Sequence, residues 1–162
     1  MWVNKIRSMS VGTLWVARTQ TDDACPDCGQ AWLQEPIGQA EVLVLVDRTL
    51  IAQTELTLLD NCMRAIGWHE SMACMSLHIG CSSFPEQVMR MVQTQVEQLR
   101  AHTILIFGIA TAHLMDPQLQ RGTVQNLQGR RLVVTHSLRQ MLDNPAMKAE
   151  VWRDLCLASH DV

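Results

Sequence analysis

The sequence predicts an α/β fold, a sandwich of helices on a mostly parallel sheet. Three short β-branched and aliphatic runs carry that expectation, together with the helical spacing of apolar residues between them. The runs are 42–46 (Val-Leu-Val-Leu-Val), 103–107 (Thr-Ile-Leu-Ile-Phe) and 131–135 (Arg-Leu-Val-Val-Thr). Continuous apolar strands of this kind are buried on both faces, and strands interleaved with helices favour parallel pairing.

The elements follow in order. After the first strand, Leu56, Leu59, Met63 and Ile66 recur at helical spacing over 55–66, and Gly67 stands where a C-terminal cap belongs. Ser82-Ser83 and Pro85 form a helix-start signal, followed by a stripe of Val88, Met91, Val92, Gln95, Val96 and Leu99. The second strand ends at Gly108, and a short helix is expected around 109–114. A polar loop runs from Gly122 to Gly129 before the third strand. Asn144-Pro145 is an N-cap followed by proline at the first helical position, so the closing helix is expected to start there. Its apolar face holds Met147, Val151 and Leu155, with Trp152 and Cys156 beside it. There is no internal repeat or low-complexity segment.

Residues 1–39 lie apart from this pattern. An apolar cluster of Val11, Leu14, Trp15 and Val16 sits between basic Lys5, Arg7 and Arg18. A polar stretch, 19–23, and the breaker-rich segments 25–29 and 36–38 come next. The expected organisation is a flexible N-terminal partner-binding peptide over 1–20, a linker with a Cys-x-x-Cys turn over 21–39, and an α/β domain over 40–162.

Composition narrows the function. The 162 residues are 48% hydrophobic and 18% charged, a balance suited to one folded domain rather than a disordered chain. Net charge is −3 and the thirteen Lys and Arg are scattered, so no basic face for nucleic acid is evident and direct DNA binding is not expected. No apolar stretch approaches the ~20 residues that cross a bilayer. The first residues lack the pattern of a signal peptide. A cytoplasmic location is expected, with the six cysteines mostly reduced. Ten methionines against two phenylalanines and no tyrosine read as filler in a core short of aromatics.

One motif looks chemical. Cys25-Pro26-Asp27-Cys28 has the spacing of half a tetrahedral metal site, but no second pair follows to close it. The favoured reading is a tight turn with two idle thiols, and no metal or cofactor is expected. The histidines form no i, i+4 pair. There is no Gly-x-Ser-x-Gly elbow and no phosphate-cradling glycine loop. His136-Ser137 follows a buried strand, where α/β folds place active sites, yet an edge-of-sheet structural role suits His136 better. Trp15 is a different signal: a tryptophan in a polar terminal segment either folds back onto its own domain or anchors in a partner groove.

Two stretches carry a family resemblance. Residues 132–155, Leu-Val-Val-Thr-His-Ser-Leu-Arg-Gln-Met-Leu-Asp-Asn-Pro-Ala-Met-Lys-Ala-Glu-Val-Trp-Arg-Asp-Leu, resemble the end of the uracil-DNA glycosylase superfamily. Those enzymes have a strand, a catalytic His-Pro-Ser, a short turn, Asn-Pro and a final helix with Trp-x-x-Leu. Residues 104–114, with Gly108 and Ala112, resemble their strand-Gly-helix segment. The resemblance implies a uracil-DNA glycosylase-like three-layer sandwich over about residues 40–157. The catalytic parts are missing. Ser137 stands at the expected histidine position, Leu138 at the following proline, and His136 falls one position early. Asp47-Arg48-Thr49 stands where the enzymes have a Gly-rich, water-activating loop.

A glycosylase-like fold without these motifs is similar to the psi-subunit family of the bacterial DNA polymerase III clamp loader. That family ends with Asn-Pro and Trp-x-x-(Leu/Ile)-Cys, here Asn144, Pro145, Trp152, Leu155 and Cys156. It begins with a flexible peptide of aliphatic residues, Trp and Arg, here Val11, Leu14, Trp15 and Arg18. This second resemblance implies no catalysis. It implies that the peptide docks on the clamp-loader gamma/tau subunits, and that the domain binds the chi subunit and through it single-stranded DNA-binding protein. Residues 21–39 lie outside it. The rival expectation is a divergent uracil-DNA glycosylase working through His136.

Overall fold

A computed structural model describes residues 15–16, 35–36, 39–47, 53–77 and 85–160 of the chain, the first two pairs by their backbone alone. Two short strands, β1 (Trp15–Val16) and β2 (Glu35–Pro36), pair antiparallel, and β2 lies next to β4. The remaining elements are β3 (Val42–Asp47), α1 (Gln53–Ile66), β4 (Met72–Leu77), α2 (Pro85–Leu99) and β5 (Thr103–Phe107), then α3 (Ile109–His113), β6 (Val124–Leu127), β7 (Arg130–Thr135), α4 (Leu138–Asp143) and α5 (Met147–Ser159). They build a five-stranded sheet in the order β4-β3-β5-β7-β6, with every neighbouring pair parallel except β6-β7.

The alternation of side chains along each strand divides the core in two. Leu43, Leu45, Ile104, Ile106, Leu132 and Val134 face one side, covered by Val88, Val92 and Val96 of α2 and Ala112 of α3. Val42, Val44, Val46, Leu105, Phe107 and Val133 face the other, covered by Leu59 and Met63 of α1, Met141 of α4 and Val151 and Leu155 of α5. Helices on both faces are compatible with the expected three-layer sandwich. A parallel sheet needs this double cover, because apolar side chains project from both of its surfaces. Among the described methionines, Met63, Met75, Met115 and Met141 are buried, in keeping with their reading as core filler.

Three local readings are corrected. First, the sequence pattern gives no strand between α1 and α2, yet β4 is there. Met-Ala-Cys-Met-Ser-Leu has no β-branched residue, so its strand state comes from pairing with β3 and burial rather than from propensity. Second, the expected loop 122–129 contains β6, an edge strand whose residues are exposed or half-buried in alternation. A two-residue turn at Gln128-Gly129, both at positive φ, joins it to β7, and this mirror-image turn suits the twist of a hairpin. Third, Asn144-Pro145 precedes α5 by a short turn and does not cap it. Asn144 closes α4, and its Oδ1 accepts from the Ala146 N–H at 3.2 Å, so α5 starts at Met147. Trp152 points to solvent, 47% exposed.

Both long crossover helices adjoining β4 end in the same way. After α1, Gly67 N–H reaches Arg64 C=O at 3.1 Å and Trp68 N–H reaches Met63 C=O at 2.8 Å. After α2, Arg100 N–H reaches Glu97 C=O at 3.2 Å and Ala101 N–H reaches Val96 C=O at 3.1 Å. This is the Schellman pattern, which needs a left-handed residue after the cap. Gly67 supplies it at φ 84° and Arg100 at φ 56°.

Candidate functional site

Strand order determines where a site can form. The chain leaves β3 for its outer neighbour β4 but leaves β5 toward β7, so the crevice between the carboxyl ends of β3 and β5 is the topological switch point. Open parallel sheets bind ligands there, because the loops diverge and leave space between them. A cavity of about 310 Å³ occupies this place. Val46 and Asp47 reach it from β3, Phe107 from β5, Gly108 from the turn after it, and Thr111 from α3. Glu55 of α1 and Ser137, Leu138 and Arg139 at the start of α4 complete the wall.

Backbone geometry holds this corner open. Gly108 has φ 105°, and its N–H donates to Thr135 C=O at 2.9 Å, which ties the β5 turn to β7. A Cβ at Gly108 would lie 3.3 Å from Ser137 Cβ and 3.4 Å from Thr111 Oγ1. The glycine thus meets two demands, a left-handed turn and close approach of the neighbouring loop.

Two polar atoms in the cavity wall lack hydrogen bonds. Glu55 is 2% exposed, and its Oε1 has no hydrogen-bond partner. The nearest cation recorded beside it is Arg139, with Nη1 at 3.8 Å, and that guanidinium also lies 3.4 Å from Asp143. Thr111 is wholly buried, and its Oγ1 is likewise without a partner. Buried polar atoms are nearly always satisfied, so two in one small cavity are notable.

A second, wider groove of about 810 Å³ opens beside the end of β7, lined in part by His113, Arg121, Thr135 and His136. From its lining residues Arg121, Thr135 and His136 a polar network runs to α5. His136 Nε2 and Glu150 Oε2 are 2.9 Å apart, and Arg121 Nη2 lies 3.0 Å from the same oxygen. Arg121 Nη1 reaches Asp154 Oδ2 at 3.4 Å, and Thr135 Oγ1 donates to that oxygen at 2.8 Å. The hydrogen bond from His136 holds the Glu150 carboxyl below its ordinary range, with Arg121 and Arg153 adding to the effect and desolvation opposing it.

The groups that follow β7 are therefore engaged. His136 is bound to Glu150. Ser137 is the N-cap of α4: its hydroxyl accepts from Gln140 N–H at 3.1 Å, while Gln140 Oε1 accepts from Ser137 N–H at 2.9 Å. This reciprocal capping box commits the serine to helix initiation.

Trp15 is described by its backbone only, paired with Pro36. Val11, Leu14, Arg18, Cys25 and Cys28 lie outside the described residues. Among the described residues no cluster of three His, Cys, Asp or Glu could hold a metal, and no helix is long and apolar enough to cross a membrane. Sequence reasoning passed over Glu55 and Asp154, although both carry a legible signal. Each is an acid set at helical spacing among buried apolar residues, Glu55 with Leu59 and Met63, Asp154 with Val151, Leu155 and Ala158. Compared with known proteins, the chain matches no family model, and no curated protein matches its sequence.

Proposed function

We propose that this protein is a non-catalytic bridging subunit of the bacterial replicative DNA polymerase III holoenzyme, of the psi type, built on a uracil-DNA glycosylase-like domain. It would link the clamp-loader gamma/tau subunits to the chi subunit and, through chi, to single-stranded DNA-binding protein. The observation that carries this reading is the state of His136 and Ser137. At the place where the resembled glycosylases carry their catalytic histidine, this chain has a serine committed to a capping box, and the adjacent histidine is bound to Glu150. A glycosylase must extrude a base and stabilise charge on the leaving group, and these two residues are employed in holding α4 and α5. The order of elements from β3 to α5 supports the same reading.

In this role Trp15 is the central anchor for gamma/tau, with Val11 and Leu14 beside it and Arg18 on the rim. A peptide that orders on binding loses conformational entropy, so one large anchor must supply much of the affinity. Titration of the gamma/tau core with wild-type protein and Trp15→Ala tests it. The expected loss is about 2 kcal/mol or more, as for a hot-spot residue. Equal affinity of the two proteins rejects the peptide assignment.

The second reading, a divergent glycosylase, has one observation in its favour. His136 is paired with a carboxylate and lines the groove at the end of β7. Uracil release from single-stranded DNA, abolished by His136→Ala, would establish it in place of the adaptor.

A further inference from the structure

We propose that the cavity at the switch point is a binding site for a small planar cation, an amidinium or guanidinium group, with Glu55 as its counter-ion and Thr111 as a second hydrogen-bonding partner. Three observations converge on it. The first is the pair of orphaned atoms, Glu55 Oε1 and Thr111 Oγ1, each on a side chain at least nine-tenths buried and each in the wall of the same cavity. A buried carboxylate oxygen without a donor is costly, and a ligand N–H removes that cost. The second is charge: among the described residues the Glu55 carboxylate faces one cation, Arg139, which stays 3.8 Å from it and also approaches Asp143. The third is size and lining. About 310 Å³ with apolar Val46, Phe107 and Leu138 alongside a few polar groups is the low end of ligand pockets.

The planar cation is favoured over an ammonium because the wall offers two kinds of acceptor, a carboxylate and a hydroxyl. A fork of N–H donors can give to a carboxylate and a hydroxyl at once, whereas an ammonium acts as a strongly hydrated point charge. Arg139 does not fill this role itself. Its side chain is 54% exposed, and its Nε lies closer to Asp143, at 3.4 Å, than its Nη1 does to Glu55, at 3.8 Å. It stands at the mouth as a cation that weakens, without replacing, the attraction of the site for a ligand.

The chemistry can come from a free small molecule or from an arginine side chain of another protein, and the test separates them. Binding of benzamidine, methylguanidine and a blocked arginine dipeptide is followed by calorimetry and NMR on the full chain, with benzamide as the neutral isostere of benzamidine. Saturable binding of benzamidine at least tenfold tighter than benzamide is expected, with at least tenfold loss in Glu55→Gln. Arg139→Ala, a change at an exposed side chain, should tighten binding several-fold and gain thermal stability on adding methylguanidine. It keeps the test open should Glu55→Gln fail to fold. Tighter binding of the dipeptide than of methylguanidine assigns the source to a protein side chain, and the reverse assigns it to a small molecule. No saturable binding of any cation, equal binding of benzamidine and benzamide, or weaker binding in Arg139→Ala would overturn the site.

Discussion

Thr135 Oγ1 donates to Asp154 Oδ2 across 2.8 Å, and both side chains are wholly buried where the end of β7 meets α5. A charged acceptor in this setting makes the bond stronger than a neutral one and its loss more damaging. Asp154 is also approached by Arg121 Nη1 at 3.4 Å, on the same Oδ2, and by Arg153 Nε at 3.8 Å from Oδ1, so the hydroxyl and one guanidinium share an oxygen.

Thr135→Val keeps the volume and removes the donor. It is expected to cost about 1.5–3 kcal/mol, the range for hydrogen bonds to charged groups. Arg121→Ala should cost about 2–3 kcal/mol by leaving Asp154 under-compensated, toward the low end of buried-pair losses because the arginine is part exposed. Urea denaturation of both single variants and the double variant measures the coupling. Additivity within about 0.5 kcal/mol would show that the two contacts act independently, contrary to the shared-oxygen arrangement.

The neighbouring pair, His136 and Glu150, predicts a pH dependence. The folded state holds the Glu150 carboxyl below its unfolded value, chiefly through the His136 hydrogen bond. A depressed carboxyl adds stability that is fully present above the unfolded value and lost as pH falls through the folded one, because the unfolded chain binds the proton first. Melting temperatures of wild type and Glu150→Gln should therefore converge as pH falls from about 5 to 3, around the ordinary glutamate value near 4.3. A constant gap across that range would disprove the linkage.

Thiol chemistry gives a third test. Burial alone pushes the Cys74 thiol up to about 12, and burial also raises Cys62, against a smaller opposing pull from Lys148. Only the thiolate reacts, so Cys74 should stay unlabelled by a disulfide reagent at pH 8 while the protein is folded, and Cys62 should label slowly. Both should label fast in denaturant. Mass mapping of the labelled peptides separates these sites from the other cysteines, and rapid native labelling of Cys74 would contradict its burial.

Gly108 tests the switch-point corner. Its φ of 105° and the 3.3 Å approach to Ser137 Cβ leave no unstrained place for a side chain. Gly108→Ala should cost about 1–3 kcal/mol, with the strain felt at the N-terminus of α4. Thermal unfolding measures it, and a neutral or stabilising change would mean the α4 start gives way freely.

The parts of the fold that were legible in the sequence are those where one local signal suffices. Residues 103–107 read as a strand because five consecutive apolar or β-branched residues admit little else, and β5 has those bounds. Pro85 and Gly67 marked a helix start and a helix end through their restricted or permissive φ. β4 was not legible because its Met, Ala, Cys and Ser residues are strand only by virtue of β3 beside them. The network at β7 was hidden for a related reason. Arg121, Thr135, Glu150 and Asp154 are spread over 34 positions, and only the packing of α5 on β7 and the bridge from Arg121 to Val134 bring them to one corner. His136 could be read as structural from its place after a strand, but its partner Glu150 could not, since a mid-helix glutamate carries no local mark of pairing.

The last prediction concerns the two Schellman ends. At Gly67 a Cβ would meet nothing within 4 Å, so Gly67→Ala tests backbone conformation alone. It should cost about 1 kcal/mol, the penalty for placing an L-residue in the left-handed region. Arg100 already bears that penalty at φ 56°, and its side chain is exposed, so little packing is lost on its removal. Arg100→Gly should accordingly stabilise the protein by up to about 1 kcal/mol, less whatever the unfolded chain gains in freedom from the new glycine. The two substitutions are mirror images of one another in a single motif. Opposite shifts in the urea midpoint at unchanged slope would verify the shared geometry. A loss of stability in Arg100→Gly would show that the arginine side chain contributes more at the end of α2 than its conformation costs.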